Sequence, residues 1–130
     1  GVIGELPRPV RFSAFLATVR RALGNRAPRW TGSPVEVVRR VAVCGGSGAD
    51  LLEDAIAARA DVFVTADVKY HAFHDAAGRI ALIDAGHYET EWPVVRAIVT
   101  RLRNTIVTRG QRVVVRATAQ TTNPCRYGMH

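Results

Sequence analysis

The sequence predicts an α/β fold, a largely parallel sheet covered by helices. Three observations carry that prediction. Short apolar, β-branched runs recur along the chain: RVAVC (40–44), DVFVT (61–65) and RIALID (79–84). Each leads into a polar or glycine-rich corner and then into a stretch with helical spacing. Strands that alternate with helices build parallel sheets, because a parallel pair needs a crossover long enough to hold a helix. At 130 residues, with 48% hydrophobic and 22% charged residues, the chain has the size and composition of a globular domain.

From the N-terminus, GELPRP (4–9) reads as an extended linker, because each proline restricts its own backbone and that of the residue before it. Ser13 is a candidate cap for a helix over 14–23, with Phe15, Leu16, Val19 and Leu23 at helical spacing and Gly24 as the stop. GNRAPRWTGSP (24–34) is loop chemistry with room for a short strand near Trp30. Then come the strand 40–44, a GGSG turn (45–48) and a helix over 49–60. The strand 61–65 is followed by the corner ADVKYH and a short helix over 69–77 that Gly78 ends. The strand 79–84 leads through DAGHYETE (84–91) into a helix from about Tyr88 to about Asn104. QRVVVRAT (111–118) is read as a last β-branched strand, and TNPCRYGMH as an irregular tail.

In sheets of this kind, ligands bind beyond the carboxyl ends of the strands. Three polar corners follow three strands here, at 44–47, 65–71 and 84–91, so they are expected to share one edge of the sheet.

Composition excludes several classes of function. No apolar run reaches the length of a membrane span, and the first twenty residues hold no signal-peptide core, so a cytoplasmic protein without membrane contact is expected. Cys44 and Cys125 make neither a disulfide framework nor a zinc spacing. The formal charge of +7 comes almost wholly from arginines, Lys69 being the only lysine. They are scattered, with no aromatic-interleaved basic block, so specific nucleic-acid binding is not expected.

The corner DAGHYETE carries the strongest chemical signal. His87 and Glu91 are four residues apart, which puts both on one face of a helix beginning near Tyr88. Pro93 supports such a start, since its missing N–H costs little in a first turn. A neutral imidazole and an ionised carboxylate are the forms a divalent metal takes. A capping histidine beside a surface acid is the alternative. His71, at the start of the preceding helix, is a candidate for the same edge, or simply a helix-start histidine. Asp67 and Asp84 are candidate acceptors that would orient imidazoles. GGSG, with Gly46 at its centre, resembles an anion-cradling loop but lacks the spacing of a Walker loop or a dinucleotide fingerprint. Glycines that permit a tight strand-to-helix turn account for it equally well.

The blocks VAVCGGSGADLLEDAIAARADVFVTADVKYHAFHDA and LIDAGHYETEWPVV resemble the C-terminal half of the Nif-three-like proteins, also called GTP cyclohydrolase 1 type 2 homologues. GVIGELPRP and TNPCRY resemble the flanking segments, so the likeness covers almost the whole chain. It implies that residues 1–12 link to an N-terminal half and that residues 13–130 form the C-terminal α/β domain of a larger fold. It also implies a homohexamer with a dinuclear centre of divalent ions (zinc, manganese or iron). The implied ligands are two adjacent histidines and an aspartate from the N-terminal half, with His87 and Glu91 from this chain. TADVKYH matches the family's T-G-D-x-K-Y-H except for Ala66, which places Asp67, Lys69 and His71 near the site as supporting or substrate-contacting groups. The implied activity is hydrolysis of a nucleotide base by the complete protein, with a metal-bound, non-catalytic scaffold as the alternative. No adjacent histidine pair occurs in these 130 residues, the first residue is Gly1 and the only methionine is Met129. A fragment of a longer chain, inactive alone, is therefore expected.

Overall fold

The computed structural model describes residues 1–25, 27–32 and 36–126. Met129 and the end of the expected irregular tail lie outside the described residues. The chain divides into two compact units, Gly1–Thr90 and Glu91–His130.

The first unit is built on five strands: β1 (Val2–Arg11), β2 (Arg29–Trp30), β3 (Val37–Ser47), β4 (Val62–Ala66) and β5 (Ala81–Asp84). Their order across the sheet is β1-β3-β4-β5-β2. The three central strands are parallel, as the alternating pattern predicts, and β1 and β2 pair antiparallel at the two edges. Helices α1 (Phe12–Leu23), α2 (Leu52–Ala57) and α3 (Tyr70–Ala76) cover the sheet, and a 3-10 turn, Ala49–Leu51, leads into α2.

The two-residue period of the strands sorts their side chains into two cores. Val62 lies level with Val41 and Ala81, and Val64 with Val43 and Ile83. Val62, Val64, Ala81 and Ile83 pack with Phe15 and Val19 of α1. Their neighbours Ala42, Phe63 and Leu82 face the other way, against Leu52 and Ala55 of α2 and Ala76 of α3. Val62, Phe63, Leu82 and Ile83 are essentially shielded from water. Each such side chain contributes about 1.5–3 kcal/mol from burial.

Several local expectations are corrected. GELPRP is not a free linker, since it lies within β1 and pairs with β3. The ladder shifts register between Glu5 and Val10, where Pro7 and Pro9 stand. Prolines lack the ladder donor and are tolerated at an edge strand and a bulge. Ser13 does not cap α1; the helix starts at Phe12, whose N–H donates to Glu36 O at 2.9 Å. The helix expected over 49–60 is the 3-10 turn plus the short α2, which Arg59 ends in a left-handed conformation (φ 57°).

The helix expected from Tyr88 onward is two helices. The first, α4, begins at His87 and runs to Glu91. A separate helix, α5 (Pro93–Thr108), belongs to the second unit. Trp92, between the two helices, keeps a helical backbone (φ −50°, ψ −36°), and Pro93 opens α5, where its missing N–H costs little.

Within the second unit, the strand expected over 111–118 does not form. These residues carry no regular structure, and Val113 and Val114 are 61% and 76% exposed. Arg103 of α5 holds the stretch by two hydrogen bonds to Val115 O, at 2.8 and 3.0 Å. β-Branched residues favour a strand only where a neighbouring strand accepts them. Among the described residues, no helix is long and apolar enough to cross a membrane.

Candidate functional site

The parallel strands β3, β4 and β5 end at the same side of the sheet, which brings the three polar corners together. The register pairs Ser47 with Ala66 and Thr65 with Asp84 at that end.

One side-chain contact there joins Asp67 and His87. His87 Nδ1 lies 2.7 Å from Asp67 Oδ2, with both side chains about half exposed (49% and 50%). An ionised carboxylate only accepts, so Nδ1 donates its proton, and in the neutral ring the lone pair then falls on Nε2. Asp67 reaches the imidazole from a left-handed backbone (φ 54°) that few residue types other than glycine adopt, aspartate among them. Ala66 is the fully buried last residue of β4.

Lys69 immediately precedes α3 and is exposed. His71 stands exposed in the first turn of α3, with its ring edge-on to Tyr70 at 5.7 Å. Tyr70, 70% exposed, also packs edge-on against His74 at 4.6 Å.

The GGSG loop is held by two hydroxyls. Gly46 N donates to Thr90 Oγ1 (2.9 Å) and Gly48 N to Thr65 Oγ1 (3.1 Å), while Thr65 Oγ1 donates to Gly46 O (3.1 Å). Gly46 itself has a positive φ of 66°. A Cβ at Gly48 would lie 2.7 Å from Cys44 Sγ and 2.7 Å from Thr65 Oγ1. These glycines therefore serve close packing at the turn. The amides of Gly46 and Gly48 are thus already bonded inside the protein.

The buried carboxylate of Asp84 forms an ion pair with Arg29 and accepts from Val68 N (3.2 Å) and Gly86 N (3.2 Å). Sequence reasoning missed Arg29 and, although they lie in the polar corners, gave no role to Thr65, Thr90 or the largely buried Glu89. Thr65 was the most findable, as a hydroxyl after the apolar run Val62–Val64 of β4.

A metal centre would draw on His87 and Glu91, which begin and end α4. An imidazole with its other nitrogen on a carboxylate, followed by a glutamate four residues on, suits divalent ions that take mixed nitrogen and oxygen donors. The donor set fits as part of a centre. Among the described residues, no group of three or more His, Cys, Asp or Glu side chains is placed to close one.

The model of the Duf34/NIF3 (NGG1p interacting factor 3) family matches residues 1–124. A GTP cyclohydrolase 1 type 2 homolog of Mycobacterium leprae is 46% identical over 97 residues, covering 72% of this chain and 25% of that protein. One from Staphylococcus aureus is 32% identical over 128 residues, covering 98% of this chain and 35% of its own. The chain thus spans between a quarter and about a third of these relatives' length. Among solved structures, a hypothetical protein of Staphylococcus aureus superposes with a TM-score of 0.88 at 30% identity, covering 96% of this chain and 42% of that one. A Bacillus cereus protein related to NIF3 gives 0.86 at 29% identity, covering 97% and 35%. On the strength of a match that runs from the edge strand to the tail, the chain belongs to the Duf34/NIF3 (NGG1p interacting factor 3) family.

Proposed function

We propose that this chain supplies His87 and Glu91 to a dinuclear centre of divalent ions, zinc, manganese or iron. The complete protein would use that centre to hydrolyse a nucleotide base. The observation that carries this reading is the 2.7 Å contact between His87 Nδ1 and Asp67 Oδ2. A carboxylate on one ring nitrogen fixes the tautomer and raises the basicity of the other, which is how metal-bound histidines are commonly oriented. Glu91 adds a carboxylate four residues along the same short helix. When bound, such ions act as Lewis acids that activate water at neutral pH. The chain's own task is to hold His87 Nε2 as a neutral donor and Glu91 as an anionic one. Lys69 and His71, exposed beside the same corner, are the candidate contacts to an anionic nucleotide. Closing the centre calls for donors from the rest of the protein, so the chain alone is inactive and binds metal weakly. Assembly into a hexamer belongs to the same proposal, as does a cytoplasmic setting.

Zinc titration of the chain and its His87→Ala variant tests this. We expect the variant to lose more than about tenfold in affinity, beyond the lower end of the effect of removing a supporting group. Equal affinity would overturn the assignment. A non-catalytic interaction protein is the second reading, favoured by the family's own description as an interacting factor. Turnover of GTP by the complete, metal-loaded protein separates the two.

A further inference from the structure

We propose that Arg29, on the far edge strand β2, is a positioning residue for His87, acting through the loop that carries Asp67. The inference begins with Val68, whose backbone is held at both polar groups. Its N–H donates to Asp84 Oδ2 at 3.2 Å, and its C=O accepts from Arg29 Nη2 at 2.8 Å. The same Nη2 pairs with the Asp84 carboxylate. The guanidinium also lies over the Phe73 ring, 5.3 Å from its centroid, an attractive cation–π placement. One side chain thus ties β2, the end of β5, the 67–69 loop and α3 together.

Arg29 is itself well anchored. It pairs with Asp84 in the antiparallel β2–β5 ladder, and Thr31 N donates to Leu82 O at 3.0 Å. Upstream, the buried Asn25 donates to Ala85 O at 2.6 Å and accepts from Ala27 N at 2.8 Å. The segment that delivers Arg29 is therefore fixed to β5 on both sides of it.

The consequence falls on Asp67, the residue before Val68. Its positive φ (54°) is a conformation that persists only when the surroundings impose it. The clamp on Val68 is that imposition. Released, Asp67 relaxes to an ordinary backbone conformation, and its carboxylate leaves His87 Nδ1. The ring then reverts toward the tautomer protonated on Nε2, which removes the lone pair from the nitrogen that would ligate.

The clamp rests on the metal reading only for its effect on affinity, so the test has two arms. The first is the ring ¹⁵N spectrum of His87 in the 130-residue chain at alkaline pH, which reports the tautomer with no metal present. The second is zinc affinity. Arg29→Met keeps length and apolar contact but removes the charge and the Nη2 contacts to Val68 O and Asp84. Arg29→Lys restores a cation that can donate to Val68 O and Asp84. We expect Arg29→Met to shift the spectrum toward the Nε2–H form and to weaken zinc binding about tenfold, the lower end for a supporting group. Arg29→Lys should recover much of both. Arg29 is 62% exposed, so these variants should fold; circular dichroism verifies it. A residue with a merely structural role would lower the melting temperature and leave the tautomer unmoved. A folded Arg29→Met protein with unchanged tautomer overturns the clamp. Should His87→Ala bind zinc as the parent does, the metal reading fails, and the tautomer arm still decides the clamp.

Discussion

The units Gly1–Thr90 and Glu91–His130 carry similar apolar patterns and reach different ends. In the first, alternating strands and amphipathic helices close two cores on the two faces of one sheet. In the second, α5 has Val94, Ile98 and Leu102 at successive four-residue steps, yet they are 54%, 50% and 46% exposed. Among the described residues, every buried one lies in Gly1–Thr90. The difference teaches that a periodic pattern selects a helix, while burial depends on whether a complementary face exists to receive it. Most helical stability in proteins comes from that packing.

The largest consequence should appear in amide hydrogen exchange. Amides of β4 and β5 should exchange only through global unfolding, and those of α5 through local opening that is several kcal/mol cheaper, given typical domain stabilities of about 5–15 kcal/mol. Equal protection in α5 and β5 would break the comparison.

Core truncation should sharpen it. Leu82→Ala, at a fully buried site, is expected to cost about 2–5 kcal/mol in urea unfolding. Ile98→Ala, on the exposed stripe of α5, should stay within about 0.5 kcal/mol of the parent. If Ile98→Ala proves as costly as Leu82→Ala, α5 has a packed face after all.

A finer version stays inside the first unit. Gly48→Ala would press a methyl into Cys44 and Thr65, for about 1–3 kcal/mol of overpacking. Nothing lies within 4 Å of a Cβ at Gly4, on the edge strand, so Gly4→Ala should move the urea midpoint very little. Matching midpoints for the two variants would show that the loop gives way around Gly48.

The smallest effect concerns acid. Glu53 and Arg79 are joined by two hydrogen bonds, at 2.7 and 2.8 Å. The hydrogen bonding from Arg79 holds the Glu53 carboxyl below its ordinary value, against a smaller opposing effect of desolvation. Because the folded value is the depressed one, this pair's contribution is fully present above the ordinary carboxylate range. It is lost as pH falls through the folded value. The pair is exposed and its effect small. Glu53→Gln should therefore sit slightly below the parent at neutral pH and converge with it in acid. A gap that widens toward low pH would contradict the assignment.

Much of the fold was legible because burial on both sheet faces leaves a strong imprint. RVAVC, DVFVT and RIALID are apolar on both sides, and all three form the parallel centre. QRVVVRAT has the same imprint and forms no strand, since a strand is a property of a pair. GELPRP shows the converse: its prolines argue against a strand, yet an edge beside β3 accepts them. In the candidate site, Asp67 was legible as an acceptor for an imidazole from its place at a strand end. Asp84 carried the same signal, and its pairing with Arg29, 55 residues away, was not legible.

What the sequence determined alone was therefore periodic and local: the strand–helix alternation, the helix spacing of α1 and the side of the sheet on which the polar corners gather. What only the tertiary structure decided was pairing. It chose which carboxylate meets His87, which hydroxyls occupy the glycine-loop amides, and which apolar stripe finds a core. Those contacts are set by side-chain directions and by registers between strands distant in the chain. A single misplaced residue of register reverses which face a side chain occupies.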